Sequence, residues 1–231
     1  MDKTPKLLNY FRSTASYRVR IALHLKDLPY NYIPVHLTRD GGEQFKADFL
    51  QQNPQALVPV YADGESSISQ SLAIIEYLDE KYPETPLLPL DHAGRARVRE
   101  ISLAIACDIH PLHNLRVLEH LTVSLNVTES VKARWIEHWI GIGLAALEKV
   151  VAANRPVGAF CHGNTPSMAD CCLVPQLYAA RRFGININQY TNLAAIDRAC
   201  ASIQAFREAM PAFQPDAEPD PPIAFEHRPA M

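Results

Sequence analysis

The chain is predicted to fold as an α/β N-terminal domain followed by an all-α C-terminal domain. Short strand-like and helix-like runs alternate through its first third, whereas beyond about residue 90 the apolar period is helical and strand signals are sparse. A third observation narrows the first domain: Leu57-Val58-Pro59 places a proline at the start of a strand, with Gln70-Ser71 opening a helix beyond it.

In chain order, KLLNY (6–10) reads as a buried strand. Residues 17–26 read as a helix carrying Val19, Ile21, Ala22, Leu23 and Leu25, and NYIPVHL (31–37) as a second strand. LVPVYADGE holds two strand-like runs split by the turn-forming Asp63-Gly64, and SLAIIEYLDEKY follows as a short amphipathic helix. The sum is β-α-β-(α)-β-β-α, the order of a thioredoxin-like domain, assigned to residues 1–88. Residues 93–213 form the helical domain, punctuated by Pro111, by NRPVG near 156 and by NTPS near 165. Residues 214–231 are read as an extended or mobile tail, because six prolines fall between 211 and 229. No internal repeat is visible.

Composition bounds the function. A chain of 231 residues, 48% hydrophobic, can bury one large core or two modest ones. With 22 Lys and Arg against 25 Asp and Glu, the net charge of −3 gives no general attraction to nucleic acid or to an anionic membrane, so any anion recognition is local. Five cysteines without a CxxC pair argue for free thiols in a reducing cytoplasm and against a zinc site. The start, MDKTPKLLNYF, lacks a signal-length apolar run, and no membrane-length apolar stretch follows.

Ser13, Thr14 and Ser16 sit where the first strand ends and the first helix begins. They can simply cap the helix. The same terminus, with its unpaired N–H groups, also favours an anion, including a thiolate. The surrounding sequence favours the second use. In a thioredoxin-like domain a proline at position 59 is often cis, leaving the backbone of Val58 to pair with an extended peptide. Gln70 and Ser71 then offer side chains and helix amides to a carboxylate at the far end of that peptide. Cap, proline and Gln-Ser together describe a glutathione site that includes Leu57, Val58, Pro59, Gln70 and Ser71. His110 and His113, three apart in CDIHPLHNLRVL, are weak evidence for a metal, and none is expected; His110 is expected to line the cleft near the thiol. Cys171 and Cys172 are read as core.

These stretches resemble the zeta-class glutathione transferases, the family of maleylacetoacetate isomerase. The family signature S-S-C-x-W-R-V-R-I-A-L is met here by Ser13-Thr14-Ala15-Ser16-Tyr17-Arg18-Val19-Arg20-Ile21-Ala22-Leu23. Agreement continues in NPQALVPV, QSLAIIEYLDEKYP, CDIHPLHNLRVL and TPSMADCCLVPQLYAARRF. The resemblance implies the glutathione transferase fold, glutathione as cofactor, a homodimer and a small cis-enoic keto acid as substrate. It places Ser13 at the catalytic serine with Thr14 beside it, Val58 next to the cis-proline, and Gln70 and Ser71 at the γ-glutamyl end of glutathione. It also makes Ser167-x-x-Asp170 a helix capping box. Arg182 matches an arginine that orients the substrate carboxylate, Arg12 precedes the catalytic serine, and Arg116 recurs in bacterial isomerases; Arg181 ranks below all three. The chain departs from the eukaryotic pattern at Ala15, where cysteine stands, and at Thr14 and Tyr17.

The implied activity is the conversion of maleylacetoacetate to fumarylacetoacetate in tyrosine and phenylalanine breakdown. Two alternatives stay open, isomerisation of maleylpyruvate in gentisate breakdown and a general glutathione transferase or binding protein. Isomerisation needs a reversible nucleophile: thiolate addition turns the double bond single, rotation follows, and elimination returns the trans alkene with glutathione regenerated. The protein must lower the thiol pKa, hold the carboxylates and stabilise an enolate, and arginine's planar fork suits the second task.

Overall fold

The computed structural model describes residues 4–64, 66–153 and 158–219. Strands β1 (Lys6–Asn9), β2 (Asn31–Pro34), β3 (Val60–Asp63) and β4 (Ser66–Ser69) form one sheet in the order β2-β1-β3-β4. β1 and β2 run parallel with Lys6 opposite Asn31, whereas β1–β3 and β3–β4 are antiparallel. A parallel pair needs a crossover, and helix α1 (Thr14–Leu25) supplies it. Gly64, at φ +63, turns β3 back towards β4. Helices α2 (Ala47–Gln52) and α3 (Ser71–Lys81) complete the expected order.

α1 begins at Thr14, earlier than the expected residue 17, because Ser13 is its N-cap and accepts a hydrogen bond from Ser16 N at 3.2 Å. The helix is buried almost all round, and so are its two arginines, Arg18 at 2% and Arg20 at 0% exposure. Arg20 fans its guanidinium across four acceptors. Nε donates to Ala209 O at 3.1 Å, Nη1 to Asn9 Oδ1 at 2.9 Å and Tyr10 O at 3.3 Å, and Nη2 to Phe11 O at 2.8 Å. A charge so buried is tolerated only when its donors are satisfied.

The rest of the described chain is helical: α4 (His92–Leu103), α5 (Leu115–Glu119), α6 (Glu129–Ala152), α7 (Met168–Arg182), α8 (Thr191–Ala201) and α9 (Gln204–Glu208). No described helix is long and apolar enough to cross a membrane. α4 continues into a π-helical turn over Ala104–Ile109 and then a 3-10 turn over His110–His113, where Pro111 lacks the N–H that a regular helix would use. α6 lies close against that turn because residue 143 is glycine; a Cβ there would sit 2.5 Å from Ile109 Cγ1. α7 packs against α1 and starts at the capping box read from the sequence. Asp170 Oδ2 accepts from Ser167 N and Oγ, both at 2.8 Å, and Oδ1 accepts from Cys161 N at 2.8 Å. Cys161, Cys171, Cys172 and Cys200 are buried and Cys107 is exposed, all as free thiols. Most of the expected NRPVG interruption lies outside the described residues.

The expectation of a tail that does not pack needs correction over its described part. Residues 214–219 pass through a turn at 215–216, where Ala217 N donates to Gln214 O at 3.0 Å, and are held against the sheet domain. Asp216 accepts hydrogen bonds from Phe11 N at 3.2 Å and from the Tyr32 hydroxyl, while Glu218 pairs with His36 at 3.2 Å and Arg39 at 2.7 Å. Pro219 O accepts from Arg12 Nη2 at 3.1 Å. Proline content does not leave the segment free, since its acceptors meet donors fixed on the sheet domain. Residues 220–231 lie outside the described residues. Asp216→Ala strands the Phe11 N–H and the Tyr32 hydroxyl, and is expected to lower unfolding free energy by about 1–2 kcal/mol in urea denaturation.

Candidate functional site

The site grows from the end of β1 and the start of α1. The chain turns through Ser13, whose N–H bonds Tyr10 O at 3.0 Å, so the Ser13 side chain and the first α1 amides face the same side. Capping and anion binding are compatible uses of this hydroxyl, because Ser13 Oγ accepts from Ser16 N and keeps its own proton to donate. Thr14 is buried and its Oγ1 has no hydrogen-bond partner among the described residues. Ser16 is wholly buried and borders neither cavity, which removes it from the three hydroxyls.

Two adjoining cavities open at this point. One, of 190 Å³, runs from Ala15 past Val58 and Pro59 to Gln70, Ser71 and Asn53. The other, of 320 Å³, is bordered by Ser13, Thr14, Arg12, Arg182 and Phe183. Ala15, Leu57, Val58, His110, Asn114 and Arg116 belong to both. Apart from Ser16, every residue expected for the site therefore borders one cavity or both. Arg181 does not; it is exposed and paired with Asp197.

The Val58–Pro59 bond is cis. Asn53, almost wholly buried, donates from Nδ2 to Leu57 O at 2.7 Å and fixes the loop, while no hydrogen bond among the described residues engages the Val58 backbone. Gln70 sits at φ +74, a region that L-residues rarely occupy, with Nε2 bonded to Gln55 Oε1 at 2.9 Å. Ser71 opens α3 and accepts from Arg18 Nη1 at 3.2 Å. Arg18, which borders the smaller cavity, was not singled out in the sequence; the available signal was a charged residue inside a run apolar on every face. Asn53 and Asn114 carried no comparable signal.

The arginines converge on the larger cavity from three elements. Arg12 precedes the N-cap, with Cζ 4.7 Å from the Phe11 ring centroid. Arg182 is the last residue of α7, with Cζ 5.8 Å from the Phe183 centroid, and Arg116 lies in the first turn of α5. His113 lines the same cavity and is buried, with Nε2 3.2 Å from Gln176 Oε1, and its ring lies 5.4 Å from that of His110. Burial pushes His113 down to about 4, and burial together with the Arg18 charge pushes His110 well below the ordinary histidine value. Both rings are thus neutral at pH 7, leaving the positive charge of the cavity to the arginines. No group of His, Cys, Asp and Glu suited to a metal occurs among the described residues.

Depressed histidines bind protons more readily in the unfolded state. His113 therefore contributes stability that is complete above its unfolded value of 6.5 and is lost as pH falls towards about 4. The expected loss from this one group is about 3 kcal/mol across that window. Thermal denaturation from pH 7 to 4 checks it: His113→Gln should flatten the slope, and an unchanged slope would assign the acid lability elsewhere.

The family model described as "Glutathione S-transferase, N-terminal domain" matches residues 7–86. The chain is 47% identical over 212 residues to the maleylacetoacetate isomerase of Pseudomonas aeruginosa, covering 91% of this chain and 98% of that protein. It superposes with a TM-score of 0.89 and 45% identity on the holo structure of a maleylpyruvate isomerase described as a bacterial zeta-class glutathione S-transferase, covering 92% of this chain and 100% of that one. A maleylacetoacetate isomerase from Anaeromyxobacter dehalogenans, solved with glutathione bound in its active site, aligns with a TM-score of 0.82 and 41% identity, covering 93% of this chain and 98% of that one.

Proposed function

The chain belongs to the zeta-class glutathione transferase family, and from that premise we propose that it is a glutathione-dependent cis–trans isomerase converting maleylacetoacetate to fumarylacetoacetate. The observation that carries the reading is the meeting of two unlike cavities at Ala15, with Ser13 close by on the larger one. A channel ending at the polar pair Gln70 and Ser71 suits the γ-glutamyl carboxylate of glutathione. A larger chamber flanked by Arg12, Arg116 and Arg182 suits a substrate with a carboxylate and a ketone.

In this reading residues 1–88 hold glutathione and residues 93–213 close over the substrate. The Val58 backbone pairs with the cysteinyl residue of glutathione. Ser13 donates its hydroxyl proton to the thiolate, supported by the first amides of α1 and by Thr14. The thiolate adds to the alkene, Arg12 and Arg182 hold the carboxylate and the developing enolate, and Arg116 guards the mouth. After rotation about the new single bond, elimination releases the trans acid and the thiolate together. Neutral His110 and His113 leave the arginine charge unshared. Ala15 sits where the cavities join, so position 15 contributes no thiol beside Ser13.

Maleylpyruvate presents the same cis-enoic acid beside a ketone, and the likeness to a maleylpyruvate isomerase favours it as a second substrate. Specificity constants for the two acids rank them. A simple mixing experiment separates isomerase from conjugating transferase: product is expected to form over many turnovers with free thiol constant, and thiol loss equal to product formed would sink the isomerase reading. The active form is proposed to be a cytoplasmic homodimer, and a monomer at micromolar concentration in sedimentation would count against it.

A further inference from the structure

Arg18 is a more costly residue than its place in α1 requires. Its side chain is 2% exposed, and among the described residues its sole hydrogen bond runs from Nη1 to Ser71 Oγ, at 3.2 Å. Nε and Nη2 are buried without a partner among those residues. Arg20, two residues on, is equally buried but spreads its donors over four acceptors. An unbalanced buried guanidinium is destabilising unless an anion comes near it. Its one bond leads to the residue that opens α3 at the end of the smaller cavity, beside the strained Gln70.

We propose that Arg18 is a positioning residue for the cofactor carboxylate, acting through Ser71. The inference rests on the glutathione reading of the smaller cavity. By donating to Ser71 Oγ, Arg18 occupies an acceptor site on that oxygen and leaves the serine proton to point into the cavity. Its charge adds to the partial positive charge at the start of α3, in a setting shielded from water. The γ-glutamyl carboxylate then supplies the counter-charge that Arg18 lacks, without touching it. The groups facing Arg18 from neighbouring elements fit that role: Ser71 on α3, His110 kept neutral by burial, the Cys172 thiol pushed up by burial, and the Cys107 side chain, with no carboxylate among them.

Affinity for two ligands tests this by isothermal titration: glutathione, and 4-aminobutanoyl-cysteinyl-glycine, which lacks only the carboxylate of the γ-glutamyl end. The unaltered protein is expected to prefer glutathione. Arg18→Met should weaken glutathione by about ten- to a hundred-fold and leave the analogue within about two-fold, with Arg18→Lys recovering part of the loss. If Arg18→Met does not fold, Arg18→Lys, Ser71→Ala and their combination carry the same test. The double variant should then bind glutathione little worse than Ser71→Ala alone, because both act on one contact. Equal losses for the two ligands, additive losses in the combination, or no loss at all would overturn the assignment and return Arg18 to the scaffold. Failure of the unaltered protein to bind glutathione would overturn the parent reading, and this one with it, and shows before any variant is made.

Discussion

Arg182→Lys is expected to lower kcat/KM for the keto-enoic acid nearly as far as Arg182→Ala, by about ten- to a hundred-fold. The two variants separate charge from geometry. Lysine keeps the positive charge at the end of α7, where the helix terminus favours a cation, but loses the planar fork and its stacking near Phe183. A chamber that orients a carboxylate needs the fork, because a misplaced alkene carbon loses its approach to the thiolate. Glutathione affinity should barely change, since Arg182 borders the larger cavity and not the channel to Ser71. Weaker glutathione binding with intact turnover of the bound complex would move Arg182 to the cofactor side.

Loss of the Ser13 hydroxyl should raise the pKa of bound glutathione by about one to two units, towards the free-thiol value of about 8.5. At a fixed pH below the new inflection the rate falls about ten-fold per unit, because the thiolate fraction falls with it. Ser13→Ala also removes the α1 cap, at about 1 kcal/mol of stability, whereas Ser13→Gly costs the cap only a few tenths. Ser13→Gly is thus the cleaner variant. Its pH–rate inflection should rise as in Ser13→Ala, with denaturation nearly unchanged, and Ser13→Thr should restore both. If the inflection stays put in all three, the thiolate is held by Thr14 and the α1 amides.

The parts of this architecture legible in the sequence are those set by local periodicity and turn chemistry. The apolar period of α3, the Asp63-Gly64 turn and the Ser167–Asp170 box each depend on residues a few positions apart, and each stands where the sequence places it. The cleft was legible because its parts lie at element ends, Ser13 at the start of α1 and Ser71 at the start of α3. Features fixed by distant contacts were not. The π-helical turn before His110 depends on α6 approaching through Gly143, and the anchoring of 214–219 depends on donors some 200 positions away in the chain. Arg18 and Arg20 look alike as letters. One has all three nitrogens bonded and the other only one, a difference created by what α3, the residue after α9 and the end of β1 bring to them.

Arg20 also bears on how the molecule comes apart. Its guanidinium joins Asn9, Tyr10 and Phe11, which lead into the proposed catalytic turn, to Ala209 beyond α9, and Tyr17 adds a hydroxyl bond to Phe206 O at 3.3 Å. Separating the sheet half from the helical half would strand a buried charge and expose the α1–α7 seam in the same act. The two halves are therefore one cooperative unit, and partial opening that spares the sheet while melting the helices has no low-energy route. Amide exchange in β1 should accordingly proceed through global unfolding, so the turn proposed to hold the thiolate keeps its shape for as long as the protein is folded.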